Sequence, residues 1–444
     1  MIGKKRKTAA ILLFCLALAG CGPAQGTAPD SGEGSGGQSV SGEGAGLEEE
    51  NPAEAGGLMA GTGTGGNLSE SSAERAGTDG NPPESDVAEQ DAAGDASDTA
   101  EDSADSAKAE TSQDAAATEE PPESGYDFTM CFAGDINLDE NWCTTQFLSA
   151  QPNGIYDCIS QELMEAMQEA DIMCLNNEFT YSTGGSPLAG KAYTFRADPG
   201  RVEVLGQMGV DTVTLANNHV YDYGKEALLD TFQVLEEAGI PYFGAGRTLE
   251  EARKPLYLEA DGKTVALVAA SRAEKNKMTP QATETEPGIL RCYDTELFLE
   301  TIREAEENSD FCIAFVHWGT EYSFDLEQVQ LETGKEYLDA GADIVIGAHS
   351  HCLQGMEYYD GKPIVYSLGN YWFNEKTLDT MLLWLHFWGD DAQDNLTVQV
   401  IPAVQAGYRT TYAAEETEQR RIYDFLESIS VNVSISDEGI VMEE

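Results

Sequence analysis

Two histidines one residue apart, His349 and His351, follow the apolar run at residues 343–346. The chain has five histidines, and two others, His219 and His317, also come at the ends of strand-like runs. Neutral imidazole is the commonest metal ligand in proteins, and open α/β sheets place their ligands at strand ends. Any one of these histidines could be a hydrogen-bonded loop residue. Four of the five in such positions indicate a metal centre instead.

Oxygen ligands follow other strand-like runs of the same sequence. Asp135 comes from the first, Glu178 from the second, and Asn218 with His219 from the third. Carboxylate, amide and imidazole ligands together suit Mn²⁺, Fe or Zn²⁺ rather than Ca²⁺ or Mg²⁺ alone. There are enough ligands for two divalent ions bridged by one carboxylate, an arrangement that stabilises the attacking and leaving oxygens in a hydrolysis. The predicted metal ligands are Asp135, Glu178, Asn218, His317, His349 and His351.

The elements that must position these residues alternate between apolar runs and segments of helical period, which is typical of a largely parallel α/β sheet. In a parallel sheet the strand ends share one edge, so ligands more than 200 positions apart in sequence can converge on one crevice. His386 is interpreted as a strand histidine without a metal. The predicted strands are 128–133, 171–175, 211–215, 264–269, 311–316, 343–346, 363–367 and 396–401, and the predicted helices are 160–170, 199–208, 225–238, 295–307, 328–340 and 418–429.

Several motifs in order carry a resemblance to a known family. They are AGD at 133–135, NE at 177–178, ANNHVYDYG at 216–224, HWGTEY at 317–322, GADIVIGAHSH at 341–351 and VYSLGN at 365–370. Through these strings the chain resembles the capsule-synthesis CapA family, also called poly-γ-glutamate synthesis proteins, and the resemblance covers about 128–373. That family is similar to calcineurin-like metallophosphoesterases. The resemblance implies a four-layer α/β/β/α sandwich of metallophosphoesterase type with a dimetal site.

The resemblance also implies roles for individual residues. Asp135 matches the first-strand metal aspartate, and Glu178 stands in place of the bridging aspartate. Asn137 stands where the phosphoesterases have a histidine. Because Asn137 and Glu178 both depart from the phosphoesterase pattern, full dimetal occupancy and phosphatase activity are open. Asn218 matches the metal-binding asparagine, and His219 matches the histidine that protonates a leaving group. The remaining imidazole ligands correspond to His317, His349 and His351. A degenerate site retained for packing is the alternative.

Other residues are expected near the same crevice. Asp222 could orient His219, or it could cap the helix that begins near residue 224. Arg196 could clamp an anion, or it could form a surface ion pair. Glu321 and Asn370 are expected to border the crevice. Together they complete the predicted set, with His219 and Asp222 as catalytic residues and Arg196, Glu321 and Asn370 as substrate-binding residues.

The first 21 residues have the pattern of an export signal. A basic stretch at 4–7 precedes an apolar stretch at 9–20, which is shorter than the roughly 20 residues that a membrane span requires. Leu18 to Cys21 resembles a bacterial lipobox, which implies cleavage before Cys21 and lipidation of its thiol. An ordinary signal peptide or an uncleaved anchor is the alternative. The expected location is extracytoplasmic, anchored to the cell membrane by lipid.

Residues 22–124 are predicted to be a disordered acidic linker, because their Gly, Ala, Ser and acidic residues bury too little apolar area to offset the entropy of ordering. The linker has 24 acidic and 2 basic residues. The remaining domain, 125–444, has 55 acidic against 19 basic residues. So negative a domain, without a basic stripe, is not expected to bind nucleic acid.

The cysteines of this domain are interpreted from their surroundings. Cys131, Cys174 and Cys312 lie inside apolar strand-like runs and are predicted to be small core residues. Cys143 and Cys158 are the pair to check for a disulfide.

These observations lead to two hypotheses. In the first, the protein is a lipid-anchored CapA-like protein that acts in synthesis, export or attachment of an anionic surface polymer such as poly-γ-glutamate. Its site would be a metal-dependent hydrolase or transfer site acting on a phosphoester or an amide. In the second, the domain is a non-catalytic accessory of a membrane polymer-synthase complex, and its site only binds polymer carboxylates or stabilises the fold.

Overall fold

A computed structural model of the protein describes residues 125–390 and 392–444. The predicted signal segment at 1–21, with its lipidated Cys21, and the predicted linker at 22–124 lie outside the described residues and stay predictions. Within the part of the chain that is described, no helix is both long and apolar enough to cross a bilayer.

The described residues form twenty strands and eight α-helices. The strands are β1 (Tyr126–Ile136), β2 (Ile172–Asn177), β3 (Thr180–Tyr181), β4 (Arg196–Ala197), β5 (Thr212–Thr214), β6 (Tyr242–Phe243), β7 (Ala245–Gly246), β8 (Leu256–Ala260), β9 (Lys263–Ser271), β10 (Gly288–Ile289), β11 (Phe311–His317), β12 (Ile344–Ala348), β13 (Leu353–Tyr359), β14 (Lys362–Leu368), β15 (Asn370–Trp372), β16 (Leu378–Gly389), β17 (Asp394–Ala406), β18 (Arg409–Tyr412), β19 (Val433–Ile435) and β20 (Ile440–Glu443). The helices are α1 (Cys143–Ser149), α2 (Gln161–Glu169), α3 (Val202–Met208), α4 (Gly224–Ala238), α5 (Leu249–Arg253), α6 (Glu296–Glu306), α7 (Gln328–Asp339) and α8 (Glu416–Ser428). Two 3₁₀ turns cover Gly154–Asp157 and Pro199–Arg201.

Most strands belong to two sheets. The larger sheet has the order β19-β20-β17-β16-β1-β2-β5-β6, with β15 beside β1 and β18 beside β17. The smaller sheet has the order β13-β14-β12-β11-β9-β8. Strands β1, β2, β5 and β6 are parallel in the first sheet, and β9, β11, β12 and β14 are parallel in the second. The site is built at the carboxyl ends of these parallel strands.

Three apolar layers hold the sheets and helices together. One layer packs α2, α3 and α4 against the outer face of the larger sheet. A second fills the space between the two sheets, where the rings of Phe128 and Phe387 stack 4.9 Å apart and Phe311 lies against both. A third packs α6 and α7 on the outer face of the smaller sheet. This is the four-layer α/β/β/α sandwich that the resemblance implied, so the predicted fold class is confirmed.

The expectation of a largely parallel sheet is wrong for half of the larger sheet. Strands β16 and β17 are antiparallel to their neighbours. Only a few residues separate them, and so short a connection can form a hairpin but not the crossover that parallel strands require. The predicted ligands also come from two facing sheets rather than from one edge. All strands and helices predicted between 128 and 367 are present, with boundaries shifted by at most three residues.

The seven cysteines of the described residues are all free thiols, so Cys143 and Cys158 are not bridged. Cys131, Cys174 and Cys312 are fully buried in the apolar layers, which is the position predicted for them. His386 lies in β16, where its Nε2 is 2.9 Å from the Asp127 carboxylate.

Asp135 is held at its place by a close approach of two backbone segments. Its amide donates to the carbonyl oxygen of Gly369 at 3.0 Å. A Cβ atom at the preceding residue, Gly134, would lie 1.9 Å from that same oxygen. Because a carbon cannot occupy that position, glycine at 134 is required for β1 to reach the turn before β15.

We expect the Gly134→Ala variant to lose about 3 kcal/mol or more of unfolding free energy, since backbone must move in a close-packed interior. Gly206→Ala is the matched control, because Gly206 lies inside α3 and a Cβ added there would meet nothing within 4 Å beyond the adjacent backbone of its own helix. It should gain about 0.5–1 kcal/mol from helix propensity. Urea unfolding measures both. Equal stability of the two variants would contradict the close approach.

Candidate metal centre

The carboxylate of Glu178 is shared by two groups of potential metal ligands. One group, the first triad, is Glu178, His317 and His349, and the other, the second triad, is Asp135, Glu178 and His351. Within each triad the ligand atoms lie within 4.8 Å of one another, and all five side chains are buried. A carboxylate that belongs to two adjacent groups of ligands could bridge two metal ions. The structure thus brings five of the six predicted metal ligands together.

Most of these five side chains are positioned by the end of a parallel strand. Asp135 is the penultimate residue of β1, and Glu178 follows β2 directly. His317 is the last residue of β11, and His349 follows β12. The two sheets face each other, so the ligands meet at one end of the layer between the sheets.

The backbone at the paired histidines is unusual. His349 has φ +95° and His351 has φ +55°, values that side chains other than glycine rarely adopt. Such conformations cost about 1–3 kcal/mol each and persist where the surrounding structure enforces them, most often at functional sites. The turn after β12 therefore keeps both imidazoles directed at the same crevice at a cost in stability.

Unpartnered buried atoms test whether a cation fits this site. Among the described residues, Oδ2 of Asp135, Oε1 of Glu178 and Nδ1 of His349 are buried without a hydrogen bond. Imidazole nitrogens of His351 and His317 lie 3.1 and 3.4 Å from the two carboxylate oxygens. Buried carboxylates need a compensating positive charge, and unpaired lone pairs on oxygen and nitrogen are what a metal ion accepts. The donor set therefore fits divalent ions of the Mn²⁺, Fe or Zn²⁺ kind.

Burial sets the charge state of the centre. It raises the pKa of Glu178 well above the usual value, and the neighbouring Asp135 carboxylate raises it further. Burial lowers the pKa of His317 and of His349 well below the usual value. The imidazoles therefore stay neutral near pH 7, which is the form that binds metals, and they do not balance the carboxylates.

Asn218, the sixth predicted ligand, contacts the first triad through its side chain. Its Oδ1 is 2.8 Å from Nε2 of His317. Its backbone carbonyl oxygen accepts hydrogen bonds from Lys191 and, at 2.7 Å, from the hydroxyl of Thr279. Two loops thus fix Asn218 beside the metal ligands.

His219 is held by a buried chain of charged groups. Its Nδ1 is 2.6 Å from Oδ2 of Asp222, and Oδ1 of Asp222 is 2.6 Å from Nζ of Lys191. The backbone N–H of Phe195 also donates to Asp222, and the Phe195 ring packs on the imidazole with centroids 4.5 Å apart. Burial lowers the pKa of His219, and the Asp222 carboxylate acts in the opposite direction.

Asp222 therefore contacts His219 rather than the helix after it, since α4 begins at Gly224 without a side-chain cap. Asn370 is at the site, with its Oδ1 2.8 Å from Nδ1 of His351. Glu321 is exposed, and its charge contributes to the raised pKa of Glu178.

Arg196 is placed differently from the other predicted substrate-binding residues. Its guanidinium donates to the carbonyl oxygen of Gly184 at 2.6 Å and lies 4.2 Å from the ring centre of Tyr223. These partners belong to the loop after β3 and to the residue before α4, not to either triad. Its role as an anion clamp stays a prediction.

Sequence reasoning missed three polar residues of the site. Lys191 lies in a loop without periodicity, so its buried position had no signal in the sequence. Asn176 donates to Oδ1 of Asp135 at 2.7 Å, and Asn217 donates to Oδ1 of Asn176 at 3.0 Å. The paired asparagines at 176–177 and 217–218 were a usable signal, because amides beside ligands are suited to orient them.

The sandwich and its buried carboxylate–imidazole cluster define an α/β protein with a group of side chains that could hold divalent metal ions. The chain belongs to the family of the bacterial capsule synthesis protein PGA_cap, whose family model matches residues 129–375, more than half of the 444 residues. The resemblance to CapA proteins is thereby confirmed. All six predicted metal ligands lie within the matched residues.

Individual relatives agree with this assignment. The chain is 32% identical over 236 residues to the PGA biosynthesis protein CapA of Bacillus subtilis, covering 52% of this chain and 61% of the relative. It is 33% identical over 192 residues to the capsule biosynthesis protein CapA of Bacillus anthracis, covering 42% of this chain and 46% of the relative. The chain thus spans about half to three fifths of these relatives' length.

Among solved structures, the chain is similar to a putative 5′-nucleotidase from Staphylococcus aureus in complex with α-ketoglutarate. It is 17% identical, with a TM-score of 0.40, covering 68% of this chain and 58% of that chain.

We expect the metal-free protein to take up two Mn²⁺ ions per chain, and Glu178→Gln to lose most of this uptake because one carboxylate serves both triads. Glu169→Gln, an exposed change at the end of α2, is the matched control and should bind like the wild type. At 100 times the dissociation constant, Mn²⁺ should stabilise the wild type by about 2.7 kcal/mol for each site that it fills. Equilibrium dialysis with elemental analysis measures the uptake. Equal uptake by both variants would contradict the shared role of Glu178.

We expect Lys191→Met to destabilise the protein by about 3–5 kcal/mol, because it leaves the buried Asp222 carboxylate without its charge partner. The Lys191 side chain is 5% exposed, whereas Lys225, which pairs with Glu286, is 47% exposed. Lys225→Met is therefore the control and should cost less than about 1 kcal/mol. Denaturant midpoints of the two variants decide the point, and similar losses would refute a structural role for the buried pair.

Proposed function

We propose that the protein acts in the synthesis, export or attachment of an anionic capsular polymer of poly-γ-glutamate type, through a metal-dependent hydrolase or transfer site. The supporting observation is the pair of buried triads that share Glu178, on a chain of the capsule synthesis family. The names of the two Bacillus relatives refer to biosynthesis of PGA and of capsule. We therefore propose the same class of polymer, a capsular polymer of poly-γ-glutamate type, for this protein.

Asp135, Glu178, Asn218, His317, His349 and His351 are the residues that would hold two divalent ions. Such ions supply positive charge for an anionic substrate and lower the pKa of bound water to about 7. That positive charge matters here, because the domain has a large excess of acidic residues and would otherwise repel an anionic polymer at short range.

His219 is the proton carrier in this proposal. The hydrogen bond from Nδ1 to Asp222 fixes the tautomer, so Nε2 is the ring nitrogen that accepts a proton from an attacking hydroxyl and returns it to a leaving group. Lys191 holds Asp222 in place and balances its charge. Phe195, which covers the imidazole, limits access of water to this side of the ring.

The proposed setting of this chemistry is the outside of the cell. The basic and apolar segments at 4–20 and the lipobox-like residues ending in Cys21 support a lipid anchor in the membrane. The acidic linker at 22–124 would carry the domain away from the lipid surface, and membrane subunits of a polymer synthase are the proposed partners. Mass spectrometry of the mature N-terminus tests the anchor, and an unmodified N-terminus at another residue refutes it.

The second candidate function is a non-catalytic accessory of a polymer-synthase complex. The observation in its favour is Asn137, which is buried where the phosphoesterases have a histidine and has an unpartnered Nδ2. An amide at this position supplies a weaker ligand than an imidazole, which would suit a site that only binds cations or polymer carboxylates.

The test separates metal binding from chemistry. Purified protein loaded with Mn²⁺, Fe or Zn²⁺ is incubated with γ-linked glutamate polymer or with phosphoesters, and chain length or released phosphate is measured. His219→Gln should lower turnover by about 10²–10⁴-fold with unchanged metal uptake, because it removes only proton transfer. His349→Ala should lower both metal uptake and turnover.

The accessory role predicts a different pattern. If alanine at all six ligand positions leaves polymer output of the cell unchanged while deletion of the gene abolishes it, the catalytic proposal is wrong and the accessory role stands. If the loaded wild type changes none of the substrates and His219→Gln has no effect on output, the same conclusion follows.

A further inference from the structure

A tyrosine beside the candidate metal centre has a strained backbone and no role in the proposed mechanism. Tyr322, in the loop after β11, has φ +57°, a value that residues other than glycine rarely adopt. Its backbone N–H donates to the carbonyl oxygen of Ser350, between the paired histidines, at 2.6 Å. Its ring centre is 5.7 Å from that of His351. Strain of this kind persists where surrounding contacts enforce it, most often at functional sites.

The accessible part of the candidate metal centre lies on the side of this tyrosine. The paired histidines, His349 and His351, are 7% and 4% exposed. Asp135 and Glu178 have no exposed surface. Tyr322 is 40% exposed, so its ring contacts His351 and solvent at the same time. A substrate that reaches the triads from the side of the paired histidines therefore lies beside the Tyr322 ring.

The connection between β15 and β16 fixes the other end of this tyrosine. Nδ2 of Asn374 donates to the Tyr322 hydroxyl at 3.2 Å. Oδ1 of Asn374 accepts from the backbone N–H of Lys376 at 3.0 Å and from Nε2 of Gln405 at 3.0 Å. Asn374 is buried, and these three contacts fix the orientation of its amide. The backbone of Lys376 is thereby linked to the Tyr322 side chain.

The ammonium of Lys376 lies over the same ring. Its Nζ is 3.3 Å from the centre of the Tyr322 ring, and the residue is exposed. Attraction between an ammonium and a ring face is modest at an exposed site, but it restricts where the ammonium lies. An ammonium has three N–H donors, so those directed away from the ring stay available to an acceptor. The distance from Nζ to the His351 ring centre cannot exceed the two ring distances combined.

Other basic residues close to the candidate metal centre are bound to partners within the protein. Lys191 pairs with the buried Asp222 carboxylate, and Arg196 donates to the carbonyl oxygen of Gly184. Around Lys376, the exposed residues Glu321 and Glu375 would repel an anion. An anionic group at this place therefore needs a local positive charge, which the Lys376 ammonium supplies.

We propose that Lys376, supported by the Tyr322 ring, binds an anionic oxygen group of the substrate beside the candidate metal centre, while the reacting group lies at the triads. The site thus selects substrates that have a second anionic group, a carboxylate or a phosphate, next to the reacting one. This inference rests on the proposed function, because it assigns substrate selection at the same site. Lys376 contacts the substrate, and Tyr322 is a positioning residue that acts through Lys376.

The test compares three probes on the protein loaded with Mn²⁺ at low ionic strength. Hexanoate has one anionic group, whereas adipate and 6-phosphonohexanoate have the same chain with an added carboxylate or phosphonate. The broadening of probe proton resonances by protein-bound Mn²⁺, titrated against protein concentration, gives each affinity. The wild type should bind at least one two-group probe about threefold to fivefold more tightly than hexanoate. The more tightly bound probe identifies the class of the second anionic group. In about 1 M salt this preference should disappear.

Variants assign the preference to the two residues. Lys376→Gln should remove it and leave hexanoate affinity and Mn²⁺ uptake unchanged, and Lys376→Arg should keep it because the charge remains. Tyr322→Leu should also remove it, and Lys376→Gln added to Tyr322→Leu should have no further effect, because the two residues act as a unit. Lys254→Gln is the matched control, an exposed change at the end of α5, and should keep the preference.

The inference is overturned if neither two-group probe binds better than hexanoate, if Lys376→Gln keeps the preference, or if Lys376→Gln and Lys254→Gln change it equally. A full effect of Lys376→Gln in the Tyr322→Leu background overturns the positioning role of Tyr322. Uptake of Mn²⁺ by the wild type separates this failure from that of the proposed function. Uptake without any preference overturns the inference alone, whereas absence of uptake overturns both.

Discussion

Two neighbouring carboxylates, Asp135 and Glu178, are buried where the two sheets of the sandwich meet, and this is the constraint on which the site depends. Both are fully buried, and each has an oxygen without a hydrogen bond. The imidazoles of His317 and His349 beside them have pKa values lowered by burial, so they add no positive charge near neutral pH. Burial and the Asp135 carboxylate raise the pKa of Glu178, so Glu178 tends towards its neutral form without a cation, and a bound cation is what would let both carboxylates stay ionised.

The rest of the fold can be understood as support for these charges. Parallel strands of both sheets end at the site, and the inter-sheet aromatic cluster of Phe128, Phe311 and Phe387 holds the sheets at a fixed separation below it. Gly134 permits the backbone approach that fixes Asp135. The Lys191–Asp222–His219 chain is a second buried group of charged residues. The charges of Lys191 and Asp222 balance each other, whereas the two triads contain no balancing positive charge.

Much of this could be predicted from the sequence because scarce residue types stood at recognisable places. His317 and His349 follow β-branched and aromatic runs, and such runs define strands by composition alone. Lys191 could not be found in this way, because its burial results from a loop without periodicity. The antiparallel half of the larger sheet was also missed, since strand direction follows from the hairpin between β16 and β17 rather than from residue pattern. The targeting segment and linker remain predictions from composition.

If the proposed function holds, a strongly acidic domain would handle an acidic polymer because positive charge would be concentrated at one place, where side chains of two sheets would hold cations. The most direct measurement is an anomalous difference map from crystals soaked in Mn²⁺. The account predicts two peaks about 3.5–4 Å apart, one on each side of the Glu178 carboxylate. Peaks only at surface carboxylates, with none in either triad, would contradict it.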